Sequence, residues 1–477
     1  MAYIQQLAKL RPLGKLEQVS ASCHHMGLFN NVGLSAHYRL TGSDSKLRSI
    51  SNLRDLIFAA TGDVIRKHRI LSAIPVNEGA PDTYFASLPS VDLNRSITFL
   101  KRSQPLATAG NGDDKELDSI LEDQHNTNFK SEYGTLPFWR LIILQNPGLG
   151  TEFTASFIYH HAIGDGVSGL AFHNAFRNAL EAASASPLAD FKAEETVVPS
   201  EDTSLLPPLG QLHPLPINPS PPSPPATNLQ EWTGNSIDAP CTSRWASICL
   251  SPSVSKAFFQ ECKEKNLSVT SALSSIVATV LFGILPPTVE ALTCIIPVSL
   301  RPWLKLPRGV VNDAIGTYFD ATRVQFTRPE QNFPNPGSTD IWSGAEKASK
   351  SINDYLSNVS PSGEPYTSVA VFETIPDISA ALVSMFGKPR DAAFEVTNVG
   401  VFSSPTIRKA NEDTPLWEVE KVLISRSSIA TGAAVTVSVA TGGNGAMAIG
   451  FSWQDGVLTE DVMEHVIQGV KKYFEKY

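Results

Sequence analysis

The first half of the chain shows hydrophobic patterns of two periods, one typical of helices and one typical of strands. Residues 47–68 predict an amphipathic helix, and residues 69–76 predict that the chain then enters a strand. Residues 153–159 are apolar and β-branched, which predicts a buried strand, whereas residues 167–185 have a helical pattern. The apolar stripe of the first helix comprises Leu53, Leu56, Ile57, Ala60, Val64 and Ile65.

The second half repeats this mixture of elements. A short strand is predicted at residues 245–250, and two helices follow it, for which Ser251 and Ser268 are suitable N-caps. A strand at residues 291–298 and a helix at residues 340–356 come next. The mixed order, with a central sheet in each half, predicts an α/β fold built of two-layer α+β sandwiches.

The end of the chain carries the strongest hairpin pattern. Residues 434–440 and 446–453 alternate between apolar and polar positions, and they flank the turn sequence Thr-Gly-Gly-Asn-Gly at residues 441–445. Residues 459–477 then predict an amphipathic helix.

A proline-rich segment divides the two halves. Ten prolines fall between Pro199 and Pro225. Proline fixes φ and removes a backbone donor, so this stretch is excluded from helix and sheet interiors. We therefore predict an N-terminal domain at residues 1–196, a crossover linker at 197–240 and a C-terminal domain at 241–477. A proline-rich docking site for a partner is the alternative interpretation.

Composition narrows the class of protein. A length of 477 residues favours two domains, and a net charge of −9 argues against nucleic acid or an anionic membrane as the main partner. The five cysteines are scattered without metal or disulfide spacing, which favours a reducing, cytoplasmic setting. The N-terminus lacks the apolar stretch of a secretory signal, and the longest apolar run is half the length of a membrane span, so a soluble protein is expected.

One short motif carries candidate chemistry. The strand at residues 153–159 is followed by the pattern H-H-x-x-x-D-G, formed by His160, His161, Asp165 and Gly166. Adjacent strand residues point to opposite faces, so only one of the two histidines can face a given cavity. This weakens a metal site made of both histidines and Asp165, and it favours a general base over a pair of core histidines.

This motif resembles the signature of the CoA-dependent acyltransferase superfamily. That superfamily includes chloramphenicol acetyltransferase, plant BAHD acyltransferases, peptide-synthetase condensation domains and fungal alcohol acetyltransferases. The first residues of the chain are similar to the fungal alcohol acetyltransferase branch. The resemblance implies two chloramphenicol-acetyltransferase-like domains with an active-site tunnel between them. The matching segments lie at residues 11–17, 24–33, 137–141, 297–302, 316–319 and 397–400.

The resemblance implies roles for the signature residues. His161 would be the general base, and His160 would be structural. Asp165 could be read as the third member of a triad, but the family's aspartate pairs instead with an arginine, which is Arg301 here. Gly166 would let the backbone turn tightly and approach the substrate. An exposed arginine before a turn is the alternative for Arg301.

Further residues are candidates on looser grounds. Asn398 is a candidate oxyanion donor, although a plain strand-to-turn asparagine explains it equally well. His25 is a candidate for the acceptor pocket, because similar histidines open the fungal branch. The D-F-G-W-G motif of the plant branch is missing, so contacts to CoA do not transfer; Lys388 and Arg390 are candidates for its phosphates.

The resemblance implies an O-acetyltransferase that uses acetyl-CoA and an alcohol of fungal secondary metabolism, in a ternary complex without a covalent acyl-enzyme. Alternatives are N-acylation of an amine, a carrier-protein-dependent condensation enzyme and a non-catalytic binding or scaffold protein. We expect no metal and a monomer. We expect a cytoplasmic protein, and peripheral attachment to the endoplasmic reticulum or lipid droplets through terminal amphipathic helices is the alternative.

Overall fold

Two large mixed sheets organise the molecule. A computed structural model describes residues 4–41, 53–106, 113–147, 152–185, 196–201, 204–219, 228–328, 341–402 and 416–477. The N-terminal sheet has five strands and the C-terminal sheet has six. Helices cover both sheets, as predicted for an α/β fold of two domains.

The signature motif directly follows the central strand of the N-terminal sheet. Neighbouring strands of this sheet are antiparallel, except for the last two, which are parallel. The helices Leu53–Lys67 and Gly166–Ala185 pack on it, and the rings of Phe157 and Phe172 stack with centroids 3.8 Å apart. In spatial order the strands are Leu416–Arg426, Val32–Thr41, Glu152–Tyr159, Trp139–Gln145 and Ile97–Lys101.

The C-terminal sheet forms a second core with four helices. Its strands in spatial order are Ser243–Cys249, Met447–Gln454, Ala433–Thr441, Ala392–Val401, Ala291–Ser299 and Phe319–Thr327. The helices are Pro252–Glu264, Val269–Ile284, Ile341–Ser357 and Glu460–Phe474. The predicted hairpin is confirmed by the antiparallel pairing of Ala433–Thr441 with Met447–Gln454. Ser251 and Ser268 cap their helices through their side-chain oxygens, as predicted.

Smaller elements complete the described chain. Ala8–Pro12, Tyr84–Ser87 and Ala73–Val76 form a three-stranded sheet, and Ser90–Asp92 pairs with Val197–Pro199. Short or peripheral α-helices are Lys15–His25, Leu93–Ser96, Lys115–Asn126, Leu209–Leu212, Arg308–Asp313 and Ile378–Val383. The 3-10 helices are Ile4–Gln6, Arg69–Ser72, Arg301–Trp303 and Val369–Thr374.

The domain division predicted from the sequence differs from the structure at one strand. Leu416–Arg426 belongs to the predicted C-terminal domain, yet it pairs with Val32–Thr41 at the edge of the N-terminal sheet. The strand's own pattern does not specify its partner, because pairing is decided by tertiary packing. In the predicted linker, Val197–Pro199 forms an edge strand and Leu209–Leu212 a helical turn, and residues 220–227 lie outside the described ranges.

The last described helix packs against the rest of the protein. The helix Glu460–Phe474 buries Met463, Val466 and Val470 in the C-terminal core. Among the described helices, none alone has the length and hydropathy to cross a membrane, and one sharply bent pair, Pro252–Glu264 with Val269–Ile284, meets those criteria only when joined.

Candidate active site

The signature motif lies at the turn between a central strand and a helix. The strand Glu152–Tyr159 ends directly before His160, and the helix Gly166–Ala185 begins at the glycine of the motif. The hydroxyl of Tyr159 donates to the carbonyl of Asp165 at 2.6 Å, and the amide of His160 donates to the carbonyl of Phe138 at 2.9 Å. These bonds fix both ends of the turn.

The two histidines of the motif face different surroundings, as the strand geometry predicts. His160 is fully buried, and its Nδ1 accepts a hydrogen bond from the amide of Ala162 at 3.0 Å. His161 is only partly buried and lines a cavity. The imidazole of His161 lies between two aromatic rings, with centroid distances of 5.6 Å to Phe29 and 5.4 Å to Phe319.

Behind the turn, His160 belongs to a buried cluster with His24 and Glu78. Nδ1 of His24 lies 2.9 Å from both carboxylate oxygens of Glu78, and Nε2 of His160 lies 3.1 Å from one of them. The other nitrogen of His24 accepts from the amide of Phe129 at 3.1 Å. Each ring therefore carries its proton on the nitrogen that faces the carboxylate.

The electrostatics of this cluster agree with a neutral His160 beside an ionised Glu78. Burial lowers the pKa of His160 to about 4. Burial alone would raise the pKa of Glu78, but hydrogen bonding and charge interactions with His160 and His24 outweigh it and lower that pKa to about 2. The facing atoms of the three residues are close enough to hold a metal ion. In each histidine, however, the ring nitrogen that faces Glu78 carries a proton that points to the carboxylate. A metal ion would have to displace both of these protons.

Asp165 forms the ion pair that the resemblance implies. Its Oδ2 lies 2.6 Å from Nη1 of Arg301, with both side chains almost fully buried. The amides of Tyr318 and Ser168 also donate to its oxygens, each at 3.0 Å. Burial raises the pKa of Asp165, but the charge of Arg301 and its hydrogen bond outweigh this effect and hold the pKa below its ordinary value. This geometry directs the carboxylate to the arginine and argues against the triad alternative.

The cavity in front of His161 has a volume of about 220 Å³ and lies between the two sheets. One wall is the inner face of the helix Lys15–His25, with residues spaced by three or four positions. The opposite wall comes from the C-terminal sheet, including Pro297, Glu395 and Asn398. The helix contributes Leu16, Val19, Ser20 and Cys23.

The charge state of His161 suits a base. Burial lowers its pKa below the ordinary 6.5, and the charge of Arg426 lowers it further, whereas the carboxylate of Asp165 raises it. The ring is therefore neutral at pH 7, and a neutral imidazole has a lone pair that accepts a proton.

Gly166 permits a close approach between the two halves. A Cβ at this position would lie 2.8 Å from Cγ1 of Val399 and 3.0 Å from Cδ1 of Ile424. Both neighbours come from the second half of the sequence. The close neighbours of Gly166 in the structure are thus side chains of the protein, and its predicted approach to the substrate stays a prediction.

Asn398 lies in the cavity wall, but its amide already has partners. Its Nδ2 donates to the hydroxyl of Thr270 at 3.1 Å, and its Oδ1 accepts from the amide of Gly400 at 2.9 Å. The oxyanion role of Asn398 stays a prediction.

Three other candidates lie away from the cavity. His25 is exposed, because it is two residues beyond Cys23 and a helix turns by about 200° over that interval. Lys388 is exposed and is not part of the cavity wall. Arg390 is buried and donates to the carbonyls of Asn235 and Ile429, each at 3.0 Å. These positions argue against the predicted pocket contact of His25 and the predicted phosphate contact of Arg390.

The residues around the site that the sequence did not reveal are Glu78, Glu395 and Arg426. Each lies far along the chain from the histidine it accompanies, and none occurs in a recognisable local pattern. Arg426 stands at the end of the strand whose pairing was not predicted.

Two mixed sheets, with a histidine from one of them facing a cavity between both, define a two-domain acyltransferase fold. The chain is similar to TRI3 trichothecene 15-O-acetyltransferase from Fusarium sporotrichioides, with a TM-score of 0.69, 14% identity and coverage of 97% of this chain and 94% of that one. It is also similar to F. graminearum TRI101, solved with coenzyme A and deoxynivalenol, with a TM-score of 0.55, 12% identity and coverage of 98% of both chains. At these identities the likeness shows the fold.

The sequence itself gives the family. Residues 111–474 match the profile of the alcohol acetyltransferase family. The probable alcohol acetyltransferase crmB of Aspergillus fumigatus is 63% identical over 464 residues, which are 97% of this chain and 99% of that protein. The chain belongs to the alcohol acetyltransferase family, and it is an acyltransferase.

Proposed function

We propose that the protein transfers the acetyl group of acetyl-CoA to a hydroxyl group of a fungal secondary metabolite, with His161 as the general base. The observation that carries this proposal is the position of a neutral imidazole in the cavity between the two sheets, beside the rings of Phe29 and Phe319. Family membership supports the transfer of an acyl group to an alcohol.

The proposed reaction passes through a ternary complex. His161 removes the hydroxyl proton as the oxygen attacks the thioester carbonyl, and a tetrahedral oxyanion forms. The carbon–sulfur bond then breaks, the ester is released, and the imidazolium returns the proton to the CoA thiolate. His161 thus ends the cycle neutral. The buried surroundings of the ring serve the reaction, because water that reached the thioester would hydrolyse it.

A direct transfer is favoured over a covalent acyl-enzyme. Cys23 is a sulfur nucleophile in the cavity wall, but burial raises the pKa of its thiol to about 12. The thiol is therefore protonated near neutral pH, and the thiolate is the nucleophilic form.

The test is mass spectrometry of products from acetyl-CoA incubated with a panel of hydroxylated terpenoids and polyketides, each beside an amine analogue. His161→Ala should lose roughly 10²–10⁴-fold in rate, because this is the usual contribution of a general base. His25→Ala is the matched control, since that histidine is exposed and lies outside the cavity, and it should keep the wild-type rate.

Each outcome of this test has a definite meaning. A fully active His161→Ala variant would overturn the assignment of the base. Acetylation confined to the amine analogues would replace the O-acetyltransferase proposal with an N-acyltransferase. Transfer only from a carrier protein, and not from free acetyl-CoA, would indicate a condensation enzyme.

A further inference from the structure

A buried ion pair faces the same cavity as His161. Glu395 lies on the strand Ala392–Val401 of the C-terminal sheet, and Arg426 ends the strand Leu416–Arg426 of the N-terminal sheet. Nη1 of Arg426 lies 2.6 Å from Oε1 of Glu395, and their side chains are 10% and 8% exposed. Both residues line the cavity, so the pair joins the two sheets at the cavity wall.

Part of the hydrogen-bonding capacity of this pair is unused. The hydroxyl of Thr397 donates to the same Oε1 of Glu395 at 2.6 Å. Nε of Arg426 is buried and has no hydrogen-bond partner among the described residues. Nη2 of Arg426 and Oε2 of Glu395 also have no hydrogen-bond partner among the described residues, and unlike Nε they keep accessible surface, so a ligand in the cavity can pair with both.

The pair lies close to the reacting groups. The guanidinium of Arg426 lies over the ring of Phe29, 5.2 Å from its centroid, and the imidazole of His161 contacts the same ring at 5.6 Å. All three side chains line one cavity, so a molecule that fills it to reach His161 can also contact Arg426 and Glu395.

Stability alone does not explain an ion pair at this place. Removing two charges from water costs about as much as their mutual attraction returns, and apolar residues of similar volume are often equally stabilising. Leucine and methionine at these positions would continue the apolar wall formed by residues such as Val19 and Ile424.

We propose that Glu395 and Arg426 recognise a second, neutral hydrogen-bonding group on the acceptor, such as another hydroxyl. The pair has no net charge, so a carboxylate or an ammonium group would be attracted by one partner and repelled by the other, with little net gain. A hydroxyl suits both partners, because it donates to a carboxylate and accepts from a guanidinium. This inference rests on the proposed O-acetylation and specifies its acceptor as a polyfunctional alcohol.

The experiment compares acceptors in matched pairs. Each carbon skeleton in the panel is supplied as a mono-alcohol and as a diol whose second hydroxyl is two to four carbons from the first. We expect the wild-type kcat/KM to be about 10- to 100-fold higher for the diol, because the mono-alcohol leaves buried polar groups unpaired.

The double variant Glu395→Leu/Arg426→Met removes the pair without leaving a single buried charge. In this variant we expect the diol preference to disappear, while the KM for acetyl-CoA stays unchanged. The control Arg323→Met/Asp391→Leu removes an exposed ion pair of the C-terminal half and should keep the wild-type preference. Circular dichroism verifies that both double variants fold. If Glu395→Leu/Arg426→Met does not fold, the preference of the wild-type enzyme for diols over mono-alcohols decides the test.

The outcomes separate this inference from the proposed function. Equal rates for the mono-alcohol and the diol of each pair would overturn only the role of Glu395 and Arg426, and so would a diol preference that survives in the double variant. The proposed O-acetylation would stand in both cases. A higher KM for acetyl-CoA with an intact diol preference would assign the pair to the donor and also overturn it. If no alcohol in the panel is acetylated, the proposed O-acetylation fails, and this inference fails with it.

Discussion

Replacing Asp165 with alanine would leave the guanidinium of Arg301 buried without its charged partner. The two side chains are 6% and 7% exposed, and their charged atoms are 2.6 Å apart. Breaking such a pair from one side costs about 3–5 kcal/mol. The amides of Ser168 and Tyr318 would lose their acceptor too, so we expect the upper part of this range. Unfolding entropy scales with chain length, so for 477 residues each kcal/mol shifts Tm by roughly 1 °C, and Tm should fall by about 4–5 °C.

Thermal and urea unfolding of the wild type and the Asp165→Ala variant measure this loss. The double variant Asp165→Ala/Arg301→Met contains no unpaired charge, and it should recover part of the lost stability. A loss below about 1 kcal/mol in the single variant would refute the reasoning, because it would mean that the guanidinium finds water or another partner.

The same ion pair predicts a dependence on pH. The pKa of Asp165 lies below its ordinary 3.8 in the folded state. A carboxyl group with a lowered folded pKa stabilises the protein above its unfolded pKa, and the contribution is lost as the pH falls through the folded pKa. The stability difference between the wild type and Asp165→Asn should therefore be constant above about pH 5 and shrink at lower pH. A difference that grows in acid would contradict the assigned charge.

Three further predictions concern the surroundings of the signature turn. The variant Glu78→Gln would place an amide N–H opposite the ring N–H of one histidine, so that two donors face each other. The free energy of unfolding, measured in urea, should fall by about 1–3 kcal/mol, and an unchanged unfolding midpoint would refute the assigned tautomers. Gly166→Ala should lower stability by about 1–3 kcal/mol through contact with Val399, whereas Gly283→Ala, with open space around its Cβ, should raise it; equal effects on Tm would contradict this difference. Because the pKa of His161 is lowered, kcat/KM should stay level as pH falls through 6.5 and decline only below it; a midpoint above 6.5 would oppose this assignment.

Features encoded within a short stretch of sequence were predicted well. The strand before His160, the helix after Asp165 and the hairpin around residues 441–445 each follow from local periodicity and turn residues. The serine caps were predictable for the same reason, since a cap bonds to amides two or three residues away. The opposite orientations of His160 and His161 followed from strand geometry.

Features that join distant residues were predicted only through the resemblance or were missed. Nothing near Arg301 indicates its partner 136 positions earlier, and the pair was expected because related proteins have one. Glu78 was missed, because it meets its histidines only after folding brings three separate segments together. The exposed position of His25 was not predicted, because it depends on the rotation of the helix that carries the residue.

The strand Leu416–Arg426 also has a consequence for biosynthesis. The edge of Val32–Thr41 that it covers leaves the ribosome long before its partner is translated. The nascent chain must therefore keep an open sheet edge until a strand more than 370 residues further along has been made, and such an edge invites pairing with other chains. The pocket with Arg426 in its wall is completed only when this later segment docks, so the enzyme acquires its catalytic shape only after residue 426 has been translated.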